Sequence, residues 1–152
     1  MNATASVLPL DDPVVAGLLA APNLARLAYV TPAGRPKVVP IWFALDGGDI
    51  VMVTGPKADK LRGIAANGAV ALTIDSSTPP YHVLLVDGDA TIEPTEGMAP
   101  EYPAIVRRYL GDAAEGYLAG MRDRVKTQRR IRVRVRSWRV LDFVKRFPKS
   151  LR

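Results

Sequence analysis

Cysteine is absent from the 152-residue chain. That excludes disulfide scaffolds, thiol catalysis and thiolate metal sites together. Histidine occurs once, as His82, which leaves metal chemistry little to work with. Long apolar runs are missing too. The stretch Val14 to Ala21 falls far short of the roughly 20 residues a membrane helix needs, so no bilayer-spanning helix is expected. Met1 to Ser6 contains no basic region ahead of an apolar stretch, which argues against a signal peptide and for a cytoplasmic address. There is no repeat, low-complexity linker or interior boundary. With 48% hydrophobic residues, a single domain over residues 1–152 with a real core is expected.

The formal charge of +6 is unevenly placed. Residues 122–152 carry 13 basic and 2 acidic side chains, a balance of +11, whereas residues 1–121 balance to −5. A basic C-terminal fifth on an acidic body points to an anionic partner: nucleic acid, a membrane surface or a charged cofactor. The plainer alternative is a solvated strand face and a frayed tail.

Asp12 followed by Pro13, with Val14, Val15, Leu18 and Leu19 on one face, reads as a capped helix ended by Pro22-Asn23. The period then changes. Ala25 to Val30 and Lys37 to Leu45 read as strands around a Thr31–Pro36 turn, and Asp46-Gly47-Gly48-Asp49 turns the chain into Ile50 to Thr54. These three predict an antiparallel meander. Lys57 to Ala66 is helical by spacing, stopped by Asn67-Gly68. Strands follow at 69–75 and 81–93, the second bending at Asp87-Gly88, then helices at 99–109 and 112–125. Arg130 to Arg136 and Arg139 to Val144 close the chain as two strands. About six mostly antiparallel strands with short helices (mainly β, α+β) predict a small barrel rather than a layered parallel sheet.

Two segments break local rules, and such breaks mark functional sites. Lys37 to Leu45 is apolar on both alternating faces, with Val38, Trp42 and Ala44 on one and Val39, Ile41, Phe43 and Leu45 on the other, so it should be covered twice. Pro40 removes a ladder donor in its middle. That leaves backbone groups of Val39 and Ile41 to face a planar ligand or a partner subunit, unless the segment is an ordinary buried strand with an edge proline. The second segment is Thr54-Gly55-Pro56-Lys57-Ala58-Asp59-Lys60-Leu61-Arg62-Gly63. A strand end, a Gly-Pro turn and a helix start carrying Lys57, Lys60 and Arg62 bring amide donors, dipole and cations together, as a phosphate site requires.

Leu27 to Pro36 with Val38-Val39-Pro40-Ile41-Trp42-Phe43, then Thr54-Gly55 and Lys60-Leu61-Arg62, then Val70 to Asp75, resemble the split β-barrel flavin and deazaflavin oxidoreductases, the superfamily of pyridoxamine 5′-phosphate oxidase. The likeness runs from about residue 12 to 144. The Val38 to Phe43 strand and the Pro79-Pro80-Tyr81 loop look closest to the branch that uses coenzyme F420, a deazaflavin with a phosphodiester and a polyglutamate tail. The resemblance implies an FMN-binding-like split barrel, an antiparallel Greek-key barrel, forming a homodimer with a cofactor in each of two clefts between subunits. It places the ring along Val39, Pro40, Ile41 and Trp42. It places the phosphate at Lys60 and Arg62, around Leu61, with Thr54, Gly55 and Lys57 beside them. One departure stands out: the family motif runs Lys-x-Arg-Asn-Leu, but here Gly63 replaces the polar residue.

The activity so implied is hydride transfer between the reduced coenzyme and an unsaturated or conjugated small-molecule substrate, which needs no protein nucleophile. His82 and Tyr81 are the proton donors the sequence offers. An FMN-binding protein of the same fold, and a non-catalytic binding module for a cofactor or nucleic acid, are the alternatives. Arg132, Arg134 and Arg136 form a stripe suited to a polyglutamate tail or to a phosphate backbone, but base-stacking aromatics are sparse beside it apart from Trp138, which speaks against nucleic acid.

Overall fold

The computed structural model describes residues 7–145. Met1 to Ser6 and the last basic residues of the cationic stretch, Arg146, Lys149 and Arg152, lie outside them. Asp12 caps α1 (Pro13–Ala20), its carboxylate accepting from the Val14 and Val15 amides at 2.9 and 3.4 Å, and Pro13 starts the helix where its missing N–H costs nothing. There follow β1 (Ala25–Val30), β2 (Pro36–Ile41), β3 (Ala44–Asp46), β4 (Asp49–Thr54), α2 (Lys60–Ala66), β5 (Ala69–Asp75), β6 (His82–Glu96), α3 (Tyr102–Leu110), a 3-10 turn (Gly111–Ala113), α4 (Ala114–Arg122) and β7 (Thr127–Asp142).

All seven strands join one sheet in the order β2-β1-β5-β6-β7-β4-β3, antiparallel throughout. The two edge strands, β2 and β3, are consecutive in the chain and separated by Trp42 and Phe43 alone. Three peptide steps from Ile41 to Ala44 reach at most roughly 11 Å. The sheet therefore rolls until its edges nearly meet, without hydrogen bonds between them: a split barrel. Its interior holds Leu27, Phe43, Ile50, Met52, Leu72, Ile74, Leu84, Ile131 and Val133, all buried. A second, smaller core of Ala99, Tyr102, Val106, Ala114 and Leu118 packs the α3–α4 hairpin, with Trp42, Val53 and Met121 against it.

Several expectations are corrected. The strand expected over Lys37 to Leu45 breaks at Trp42-Phe43, so the meander does not form: β2 pairs with β1 and β3 with β4, at opposite ends of the sheet. The run of apolar residues hid the break because both halves are strand-like. Within the single chain the outer face of β2 stands open, with Val38 64% exposed. Pro40 sits on this edge strand, where a missing donor is tolerated. The helix expected from Lys57 begins at Lys60, because Gly55-Pro56 starts a turn that Asp59 ends. The helices expected at 99–109 and 112–125 are trimmed to α3 and α4. The two closing strands are one: β7 runs unbroken, with Arg136 inserted as a bulge where Asp87 pairs Ser137 and Gly88 pairs Val135. That extra residue inverts the alternation, which the sequence pattern shows as an interruption. Gly88 is needed at the bulge, because a Cβ there would stand 2.5 Å from Val133 Cγ1 and 2.7 Å from the Arg134 carbonyl oxygen.

Arg108 fixes the crossing between the edges. Its guanidinium donates to the Phe43, Leu19 and Ala21 carbonyls, the last at 2.7 Å, and lies 4.7 Å from the Phe43 ring centroid. Tyr109 beside it accepts from the Phe43 amide at 3.3 Å and donates to the Asn23 carbonyl at 2.7 Å. Arg108→Ala strands three carbonyls in a part-buried site and should destabilise the fold by about 2–4 kcal/mol, read as a lower urea midpoint. An unchanged midpoint would show that the crossing is held without it.

Candidate functional site

The break at Trp42-Phe43 sends two neighbouring rings in opposite directions. Phe43 is fully buried in the barrel. Trp42 packs on the α3–α4 side, stacked on Tyr109 with centroids 5.2 Å apart and planes within 4°, and edge-on to Tyr117 at 6.4 Å. Between the barrel and the helical hairpin this leaves two clefts. The smaller, about 370 Å³, is lined by Leu24, Pro40, Ile41, Trp42, Val53 and Tyr102. The larger, about 710 Å³, is lined by Val53, Thr54, Gly55, Pro56, Lys57, Tyr102, Tyr117, Met121 and the segment 124–128. Val53 and Tyr102 line both, so the apolar cleft and the cationic one adjoin along one groove at these two residues.

The walls are firmly held. Gln128 is buried, and its side-chain oxygen accepts from the Ala99 amide at 2.8 Å, tying the entry to α3 onto β7. Thr127 Oγ1 donates to the Thr95 carbonyl at 2.6 Å. At the cationic end Lys57, Arg124 and Lys126 are exposed and have no carboxylate partner among the described residues. The arginines of β7 contrast with them. Arg130 grips Glu101 with two guanidinium nitrogens and reaches Glu93 at 2.8 Å. Arg132 reaches Glu93 at 2.8 Å, Asp46 at 2.9 Å and Asp49 at 3.3 Å, and Arg136 pairs with Asp89. Hydrogen bonds from Arg130 hold the Glu101 carboxyl below the ordinary range, and those from Arg130 and Arg132 do the same for Glu93. The arginine stripe read from sequence is thus largely neutralised in place, with Arg134 alone of its three members left without an ion pair among the described residues.

Of the residues singled out in sequence, Thr54, Gly55 and Lys57 line the cationic end and Pro40, Ile41 and Trp42 the apolar end. Val39 packs against the barrel core. Leu61 is in that core, so only its backbone remains for a ligand. Lys60 and Arg62 line neither cleft of the single chain. Burial lowers the Lys60 pKa, with Asp59 opposing. Gly63 faces β1, where a Cβ would meet the Val30 carbonyl oxygen at 2.4 Å. The departure from the Lys-x-Arg-Asn-Leu motif is therefore a packing requirement of this chain. His82 lies elsewhere, in a cleft of about 420 Å³ beside α1 with Ser76 and Asn23; its Nε2 is 3.3 Å from buried Asp142. Tyr81, next to it, is 45% exposed. Tyr102, Tyr117, Arg124 and Lys126 escaped the sequence reading because α3 and α4 read there only as packing faces and the two cations only as part of a basic run. Among the described residues no acidic or histidine cluster could hold a metal, and no helix could cross a membrane.

A family model described as pyridoxamine 5′-phosphate oxidase matches residues 12–142. No curated protein matches the chain. Among solved structures, an F420 reductase is 28% identical, covering 81% of this chain and 94% of that one at a TM-score of 0.63. A conserved hypothetical protein from Mycobacterium tuberculosis is 20% identical over 93% and 90%, TM-score 0.68. The heme storage protein HutZ from Vibrio cholerae is 14% identical over 86% and 93%, TM-score 0.62. The last two are likenesses of fold alone.

The Arg130–Glu101 pair ties α3 to β7 behind the groove, and its pH dependence has a definite sign. A carboxyl whose folded pKa is depressed adds stability above its unfolded value of about 4.3, and that stability is lost as pH falls through the folded pKa. Glu101→Gln should cost on the order of 1 kcal/mol at neutral pH. In urea unfolding at a series of pH values the difference from wild type should shrink as pH falls below the ordinary carboxylate range; a pH-independent difference would contradict the assignment.

Proposed function

The chain belongs to the pyridoxamine 5′-phosphate oxidase family of split β-barrel flavin and deazaflavin oxidoreductases, and from that premise we propose that it is an F420-dependent oxidoreductase acting on an unsaturated or conjugated organic substrate. The observation that carries the reading is the groove whose apolar and cationic ends are joined at Val53 and Tyr102. A cofactor with a planar tricyclic ring and a phosphodiester side chain needs an apolar slot continuous with a cluster of unpaired cations. Pro40, Ile41 and Trp42 offer the slot; Lys57, Arg124 and Lys126, with the Thr54 hydroxyl, offer the cations and a donor. Lys60 and Arg62, which line neither cleft of the single chain, are not needed for this reading. The 28% identity to an F420 reductase supports the deazaflavin over FMN, which the same groove accommodates as the second reading.

Bound there, the reduced deazaflavin supplies a hydride. The protein's part is to bind, orient and exclude water. The Pro40–Trp42 backbone runs along one side of the slot, and Trp42 is held by stacking on Tyr109. Tyr102 closes the side opposite the barrel, and Tyr117 beside it lines the cationic end. A second copy of the chain is proposed to cover β2, whose apolar Val38 and Pro40 stand exposed, and to complete the groove. The largely neutralised arginine stripe weakens the case for a nucleic-acid module.

Titration of coenzyme F420 and of FMN by fluorescence tests the reading. Lys57→Ala and the double variant Arg124→Ala/Lys126→Ala should each weaken F420 binding roughly tenfold or more, by loss of charged hydrogen bonds, with little change in stability. Unchanged affinity would show that the anion binds elsewhere. A wild-type protein that binds neither compound would remove the function proposed.

A further inference from the structure

Tyr102 from the first turn of α3 and Tyr117 from α4 meet hydroxyl to hydroxyl at 3.1 Å. Both line the larger cleft, and Tyr102 lines the smaller as well, so the pair stands where the apolar and cationic ends join. The rings differ in surroundings: Tyr102 is 8% exposed, Tyr117 39%. Burial, and then the bond to Tyr117, push the Tyr102 phenol above its ordinary range, so Tyr102 keeps its proton at neutral pH. A buried hydroxyl needs a partner. Either hydroxyl can donate across this contact; when Tyr102 donates, the proton of the more exposed Tyr117 is left to turn into the cleft. Trp42, which lies edge-on to Tyr117 and itself lines the smaller cleft, brings the Tyr117 ring next to the slot assigned to the coenzyme. His82 is held by Asp142 in the separate cleft beside α1.

We propose that Tyr117 is the proton donor that completes the reduction and that Tyr102 is its positioning residue; this rests on the oxidoreductase reading above. In a conjugated acceptor, C=C–C=O, the hydride brings two electrons and forms a C–H bond at the far carbon, while the π pair moves to the carbonyl oxygen as an enolate. The O–H bond of Tyr117 then breaks, its proton bonds to the carbon next to the carbonyl, and the pair stays on the phenolate oxygen. Tyr102 donates to that oxygen, and Arg124 and Lys126 on the same wall favour its charge. Solvent water reprotonates Tyr117. The substrate gains two electrons and two hydrogens, the coenzyme loses two electrons, and the solvent proton that restores Tyr117 is offset by the ring N–H proton that the reduced coenzyme gives up to solvent.

The test compares wild type, Tyr117→Phe and Tyr102→Phe with reduced coenzyme F420 and cyclohexenone. Tyr117→Phe should keep coenzyme affinity within about twofold and lower kcat on the order of 100-fold, with the alkaline limb of the pH–rate profile lost. Tyr102→Phe should lower kcat less and move that limb to higher pH, because the phenolate loses a donor; a merely structural role leaves the limb in place. Without coenzyme, tyrosine Cζ NMR should show Tyr102 titrating above about 10 and moving down in Tyr117→Phe. Wild-type turnover and an unchanged limb in Tyr117→Phe overturn the donor role. Coenzyme binding by wild type without reduction of the enone also overturns it, but leaves the cofactor site standing. Absence of coenzyme binding overturns the functional reading, and the donor role with it. An unmoved Tyr102 titration in Tyr117→Phe then removes the hydroxyl coupling as well.

Discussion

Two residues, Trp42 and Phe43, connect the opposite edges of a seven-stranded sheet, and the rest of the molecule follows from that short link. It forces the sheet to roll, which makes a barrel interior for Phe43 to fill. It also leaves the edges unpaired with each other, so the barrel stays split. Because successive residues in extended chain face opposite ways, burying Phe43 turns Trp42 outwards, into the space that α3 and α4 then cover. Arg108 and Tyr109 satisfy the backbone at the crossing from the hairpin side. The hairpin is thus bonded to the very point at which the groove opens.

Electrostatics divides the basic residues into two kinds. Arg130, Arg132 and Arg136 of β7 face carboxylates from the β3–β4 turn, β6 and the entry to α3, and Arg130 through Glu101 binds the barrel to the hairpin. Those around the groove have no carboxylate to face and stand next to an open volume. Pairs between elements hold structure, and unpaired cations at a cleft attract anions. A basic run that looks uniform in sequence therefore serves two purposes, and only position in the fold separates them.

The helix cap at Asp12, β1, β5, the bend at Asp87-Gly88 and the barrel class were legible because each rests on local chemistry: a capping carboxylate, alternation, a glycine where backbones approach. The family resemblance added the split barrel, while the segments around Pro40 and Thr54 to Lys57 were marked by the residues themselves, as local rule-breaks. What was not legible depended on distance in the chain. The break in Lys37 to Leu45 leaves no mark when both halves are apolar, and the bulge at Arg136 reads as two strands. The pairing of Arg130 with Glu101, and of Tyr102 with Tyr117, arises only once the hairpin folds back. The role of Gly63 was visible as a departure from a motif, but its cause, the Val30 carbonyl, is tertiary.

The central claim is that the groove between the split edge of the barrel and the α3–α4 hairpin holds a planar, anionic cofactor. A crystal structure of the protein grown with coenzyme F420 tests it most directly. The account predicts the deazaflavin ring against Pro40, Ile41 and Trp42, and the phosphodiester within hydrogen-bonding distance of Lys57 and the 124–127 segment. Coenzyme seated instead in the cleft of His82 beside α1, or along the arginines of β7 with the groove empty, would contradict it.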